Sequence, residues 1–181
     1  MQQRPSESDT HPTALIVTLR MDAEAAARLT ALRQAHFPPE RNFLDAHITL
    51  FHALPVGSMD TVLRDAADRA GATEAFPLRV DRVLFLGAGV AYGMTSPEAT
   101  GLRGALAARW EPLLGRQDRH WHGRLHVTVQ NKVPSEAARR LQAELQRDFA
   151  PHAVGATGLQ VWHYVGGPWR HAATFPFKGA A

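Results

Sequence analysis

The chain has 181 residues, enough for one domain of ordinary size or two small packed lobes, and its 45% hydrophobic content supports a real core. It contains no cysteine, which removes disulfides, thiolate nucleophiles, Fe–S clusters and Cys-type zinc sites and fits a reducing compartment. The net charge of +3 favours phosphate-bearing partners but excludes the strong basic stripe of a duplex-DNA binder, and no apolar run reaches the ~18 residues of a membrane span. A cytoplasmic monomer with no membrane partner is the expectation.

Met1 to Pro12 is polar and lacks the apolar run of a secretory signal, so a flexible tail is expected there. Thr13–Arg20 is rich in β-branched residues and predicts a strand. Asp22 is placed to cap a helix running to Gln34, and Pro38-Pro39 breaks it. A strand through His47 follows, then a helix over Met59–Ala70, capped by Ser58 and ended at Gly71. Phe76–Leu86 predicts a further strand.

The order then recurs. Gly89–Thr95 predicts a strand, and Ser96-Pro97-Glu98 opens a helix to about Leu114. A Gly/Arg/His-rich loop leads to a strand over Arg124–Gln130. Ser135 is placed to cap a helix to about Phe149, and Leu159–Val165 predicts a strand. Gly166-Gly167-Pro168 predicts a hairpin turn, and Ala172–Phe177 an edge strand.

Two of these strands carry the same pattern of His, apolar, Thr, apolar: His47-Ile48-Thr49-Leu50 and His126-Val127-Thr128-Val129. Period-2 alternation puts His47 with Thr49, and His126 with Thr128, on one face of each strand. Draws from this composition give about 0.4 such matches by chance, so the four letters alone decide little. Their surroundings decide more. Pro55 and Pro134 stand at the same offset after their histidines, and each precedes a Ser-headed helix. The reading is a duplication with a period of about 80 residues, in halves near 13–88 and 89–177 of a single bilobal domain. Two like units would bring the histidine strands face to face. The expected fold is α+β, with two pseudo-symmetric lobes of antiparallel sheet flanked by helices around a central cleft.

On these motifs, their separation and the two-lobed alternation of elements, the chain from Ala14 to Phe177 resembles the two-histidine (2H) phosphoesterase superfamily, in its bacterial 2′-5′ RNA ligase and RNA 2′,3′-cyclic phosphodiesterase branch. The resemblance implies metal-independent hydrolysis of 2′,3′-cyclic phosphates in RNA or nucleotides, with reversible 2′-5′ ligation, and no cofactor. It implies His47 as general acid, His126 as general base, and Thr49 and Thr128 as holders of the phosphate oxygens. The implied partners are RNA with a 2′,3′-cyclic phosphate end or a small cyclic nucleotide.

The chemistry suits the residues. Imidazole titrates near pH ~6.5, so one ring can be neutral while the other is charged. Hydroxyls opposite the phosphate can donate as charge develops on its oxygens. The pseudo-symmetry by itself permits either histidine as acid. Each histidine could instead be a structural imidazole, and the scaffold could be a non-catalytic nucleotide- or RNA-binding module; two intact motifs favour the enzyme.

Other residues are candidates for substrate contact. Phe51 shares a face with His47 and Thr49 if the strand stays regular, and could stack on a base. If the second strand begins at Trp121, then His122 and Arg124 share the His126 face and reach phosphate or ribose. His120, His122 and His126 could be a zinc set, but no carboxylate stands at suitable spacing, so no metal site is expected. Trp121, Trp162, Tyr164 and Trp169 are stacking platforms or core. Gln130, Asn131 and Lys132 are substrate contacts or a turn. His52 has no partner pattern and falls on the core-facing parity or beyond the strand.

Overall fold

The computed structural model describes residues 11–180, so most of the expected tail lies outside the described residues. Its strands are β1 (Ala14–Met21), β2 (Ile48–Leu54), β3 (Phe76–Phe85), β4 (Val90–Thr95), β5 (Leu125–Gln130), β6 (His152–Tyr164) and β7 (Trp169–Pro176). Its helices are α1 (Ala23–His36), α2 (Met59–Gly71), α3 (Pro97–Arg109), the single turn α4 (Arg116–Arg119) and α5 (Ser135–Arg147). None of the described helices is long and apolar enough to cross a membrane.

All seven strands form one antiparallel sheet in the order β2-β1-β6-β3-β4-β5, with β7 also paired to β6. Exchange β1 with β4, β2 with β5 and β3 with β6, and the order reads the same from the other end. Each half of the chain therefore hands its last strand to the other. β6 completes the sheet of β1 and β2, and β3 completes the sheet of β4 and β5. β3 and β6 pair with each other at the middle, Phe76 opposite Ala156 through Val80 opposite His152. The sheet curls far enough that its two ends, β2 and β5, touch. Those ends are the two histidine strands, so the fold is the expected α+β body with the motifs brought together.

Both ends of the sheet would expose unpaired carbonyls. Each is met by a buried arginine from the other half. Arg33 of α1 donates from Nη1 to the Thr128 carbonyl at 3.0 Å, and Arg103 of α3 donates from Nε to the Leu50 carbonyl at 3.0 Å. Both guanidiniums stack on aromatic rings, Arg33 over Phe37 and Arg103 over Phe51 and Trp121. An aliphatic stem with a planar head can fill a core and still satisfy buried carbonyls.

Several expected boundaries move. Asp22 caps α1 as expected, its Oδ1 accepting from Ala25 N–H at 2.8 Å, and Ser96 caps α3. Ser58 stands at the start of α2 without a capping bond, because a 3₁₀ turn over Val56–Ser58 already leads into the helix. Ser135 lies inside the first turn of α5, whose cap position is Pro134. α3 stops at Arg109, not near Leu114: Trp110 is fully buried, its Nε1 donates to Asp65, and Pro112 follows. β6 begins at His152, not Leu159, since pairing with β1 and β3 carries a small-residue stretch of weak strand propensity. β7 begins at Trp169, directly after the expected hairpin turn.

Candidate active site

His47 stands one residue before β2, and His126 is the second residue of β5. Both are partly buried, as are Thr49 and Thr128, while the intervening Ile48 and Val127 are fully buried. Alternation thus seats each motif as its sequence predicts: apolar residues into the core, His and Thr onto the opposite face. The two imidazoles are held alike. Nδ1 of His47 lies 2.7 Å from the Asp45 carbonyl, and Nδ1 of His126 lies 3.4 Å from the Arg124 carbonyl, each two residues back. A carbonyl can only accept, so Nδ1 carries the hydrogen and Nε2 is left as the working nitrogen.

Burial pushes the His47 imidazole down to about pKa 4; the charges of Arg33, His126 and His52 push the same way, and the bond to Asp45 only partly offsets them. His126 is lowered by burial, with His52 again adding and the Arg124 carbonyl opposing. With no anion between them, both rings are therefore neutral at physiological pH. The charge of His126 acts on His47, and that of His52 acts on both rings.

An open cleft of about 780 Å³ is lined by His47 but not by Thr49 or any residue of β5. Its floor is the alanine-rich face of α1, and its walls include Phe43, Gln160, Trp162 and Trp169. The Trp169 ring lies 4.5 Å from that of His47. Phe43, 59% exposed at the rim, carried no motif that could single it out. Arg33 did carry a signal: it continues the buried stripe of Ala25 and Leu29 at helical spacing, where a charge needs a purpose. It also anchors the segment leading to His47 through Asn42 and the Leu44 carbonyl.

Phe51 is not a platform. β2 carries irregularities against β1, so Thr49 pairs with Thr18 but Phe51 pairs with Val17. Leu50 and Phe51 are consequently both buried, and Phe51 packs on Trp110 with its ring centroid 4.9 Å away. The extra residue reverses the alternation beyond it. His52 takes the partly exposed face that Phe51 was expected to hold.

His122 and Arg124 do not share a strand face with His126. β5 begins at Leu125, and Gly123 adopts φ 74°, a left-handed conformation that breaks the alternation. Both side chains are exposed. His120 turns to the Arg116 carbonyl, and among the described residues no three His, Asp or Glu side chains gather as a metal-ligand set. Trp121 lies against Arg103. Gln130 is buried on the His126 parity with Oε1 unpartnered, whereas Asn131 and Lys132 form the turn, Lys132 at φ 62°.

The family model for the 2′-5′ RNA ligase superfamily matches residues 21–168. The chain belongs to this superfamily. It is thus a two-histidine phosphoesterase relative, in a superfamily of phosphoesterases and RNA ligases. Solved structures agree in fold. Escherichia coli LigT, crystallised with 3′-AMP, is 19% identical with a TM-score of 0.61, over 93% of this chain and 99% of LigT. TT0787 of Thermus thermophilus is 14% identical with a TM-score of 0.65, over 93% of this chain and all of TT0787 (100%). A crystal structure described as a phosphoesterase is 18% identical with a TM-score of 0.60, over 92% of this chain and 99% of that one. No curated protein matches the chain in sequence.

Proposed function

We propose that the protein is a metal-independent phosphodiesterase that opens 2′,3′-cyclic phosphates of RNA ends or small nucleotides, with His47 as general acid and His126 as general base. The observation that carries this reading is the matched pair of imidazoles on the two touching ends of the sheet, each with Nδ1 engaged by its own backbone and Nε2 without a hydrogen-bond partner among the described residues.

In this scheme Nε2 of His126 takes a proton from water as the water oxygen bonds to phosphorus. The bond from phosphorus to one ribose oxygen breaks, and that oxygen receives a proton from Nε2 of His47. The product is a ring-opened phosphomonoester, and the proton taken by one imidazole replaces the one given by the other. His47 must be charged to act, yet burial holds it near pKa 4. The substrate supplies the correction: a phosphate anion beside the ring favours its protonated form and raises its pKa. Thr49 and Thr128 donate to the non-bridging oxygens. With a ribose 5′-hydroxyl attacking in place of water, the same path yields a 2′-5′ linkage. A strained cyclic ester is already activated, so paired acid and base catalysis suffices. The nucleoside fits the cleft beside His47, with Trp169 offering a face for the base. The nucleotides crystallised with LigT, 3′-AMP among them, suit that placement. The absence of cysteine suits work in the cytoplasm.

The deciding experiment is turnover of 2′,3′-cyclic mononucleotides, 2′-5′ dinucleotides and cyclic-phosphate-ended RNA with a chelator present. Ring-opened monoester should accumulate, and His47→Ala and His126→Ala should each abolish it while nucleotide binding persists. Binding without turnover in the native protein identifies a nucleotide-binding module instead. Unchanged turnover in either variant removes the assigned roles.

A further inference from the structure

His52 is not part of either motif, yet it is built into the same site. The bulge in β2 turns it onto the face of His47 and Thr49. Its side chain is 31% exposed, and its Nδ1 lies 3.0 Å from Oδ1 of Asp118, whose side chain is 1% exposed. Asp118 also accepts from the backbone N–H of His52 at 3.0 Å and of Ala53 at 3.2 Å. Arg103 completes the arrangement from behind: its Nη2 donates to the Asp118 carbonyl at 2.7 Å and stands 4.0 Å from Oδ1. Asp118 is thereby held in one place and, in turn, fixes which His52 nitrogen carries the hydrogen and where the ring points. Nε2 of His52 has no protein partner among the described residues.

We propose that His52, oriented by Asp118, is a third imidazole of the phosphate site and donates from Nε2 to a non-bridging phosphate oxygen. The inference rests on the phosphodiesterase reading for its substrate. Two observations favour a ligand role over a purely structural one. The backbone N–H groups of His52 and Ala53 bond the Asp118 carboxylate independently of the ring. Further, His52 lies close enough to both motif histidines to influence each of them. The bulge supplies the geometry, since it sets His52 on the face of Thr49. The charged and titratable groups around it are Asp118 from α4, Arg103 from α3, His126 from β5 and His47 ahead of its own strand, with Arg33 from α1 beyond His47.

Asp118 also explains the wiring of the loop. Burial alone would raise its carboxyl, but the bonds from the His52 ring and the two backbone N–H groups, with the charge of His52, outweigh burial and hold it below the usual carboxylate range. With Nδ1 turned to Asp118, Nε2 is the ring nitrogen left to face a ligand.

The test uses inorganic phosphate as the probe, with binding followed by calorimetry and the histidine ring protons by NMR. His52→Gln keeps an amide near Asp118 and conserves volume. It should weaken phosphate about tenfold at pH 6, the effect expected for losing one charge-assisted hydrogen bond. Asp118→Asn should weaken phosphate in the same direction, and His47 and His126 should titrate higher in His52→Gln than in the native protein. Phosphate affinity and both titrations unchanged in folded His52→Gln would overturn the proposal. Neither readout needs turnover, so a failed substrate screen with these shifts intact refutes the phosphodiesterase reading and leaves the phosphate contact standing.

Discussion

The two ends of the sheet carry the same cassette and treat it differently. β5 alternates buried Leu125, Val127 and Val129 with His126 and Thr128, then doubles its buried residues at Val129–Gln130, where its register against β4 shifts. β2 does the same, doubling at Leu50–Phe51, but runs on for three further residues and presents His52. β5 ends on that buried Gln130; β2 runs on to Leu54 and ties His52 to a buried aspartate. The contrast separates what the pair must share from what each end may vary. The His-x-Thr seat, the carbonyl at Nδ1 and the arginine from the opposite half occur twice, so they define the common machinery. The His52–Asp118 pair and Trp169 occur once, so they break the symmetry and give the site a direction.

The largest effect should come from the shared part. His47→Ala and His126→Ala are each expected to lower kcat about 10²–10⁴-fold, and the double variant should lose little more than the worse single one, because the two act as a unit. The pH profiles carry the comparison. The native rate should be bell-shaped; removing the base should flatten its acidic limb, and removing the acid its alkaline limb. A native profile flat between pH 5 and 9 rules out paired histidine catalysis, and exchanged limbs reverse the two roles.

The next prediction concerns the bulge. Phe51→Ala should destabilise the fold by about 3–5 kcal/mol, because it opens a cavity among Trp110, Arg103 and the core. Denaturant titration measures it directly. A loss under about 1 kcal/mol, with KM raised, would return Phe51 to the substrate site and place the irregularity elsewhere.

Phe51 also marks where the sequence stops being legible. Composition, the repeated order of elements and the His-x-Thr pattern were sufficient to locate every main strand and helix and to pair the motifs, because each is a local periodicity repeated twice. A bulge has no such signature: one extra residue leaves the strand's composition intact while moving every later side chain to the other face. That displaced Phe51 into the core and hid His52. Gly123 hid the placement of His122 and Arg124 in the same way, through a single backbone angle. The exchange of β3 and β6 between halves was equally out of reach, since pairing partners far apart in the chain leave no local trace. Arg33 and Arg103 were readable in principle as charges on buried helical stripes, beside Leu29 and Leu106.

A third prediction uses the depressed titration of His47. Between about pH 6.5 and 4 the unfolded chain binds a proton there that the folded protein does not, so stability rises with pH across that window. Lowering the pH through it should cost about 3 kcal/mol at this residue, with no further loss from it below pH 4. The difference in unfolding free energy between the native protein and His47→Gln should therefore slope through this window and level off on both sides. His126, lowered in the same direction, leaves a smaller slope in the variant. A native protein equally stable relative to His47→Gln at pH 4 and pH 7 would mean that the ring is not desolvated as described.

The smallest effect expected is the one that gives the site its polarity. Trp169 lies against His47, whereas among the described residues no aromatic ring stacks on His126. The wide cleft opens on the same side, so the nucleoside should extend past His47 toward Trp162 and away from β5. Base–aromatic stacking contributes about 1–3 kcal/mol, and Trp169→Leu removes the aromatic face while keeping an apolar filler. KM for a 2′,3′-cyclic nucleotide should rise about tenfold with kcat little changed, because stacking is present in ground state and transition state alike. Affinity for inorganic phosphate, which has no base, should not move. If phosphate weakens as much as the nucleotide, Trp169 acts by holding the His47 ring and the base lies elsewhere. If neither changes, the asymmetry between the two ends is confined to His52 and Asp118.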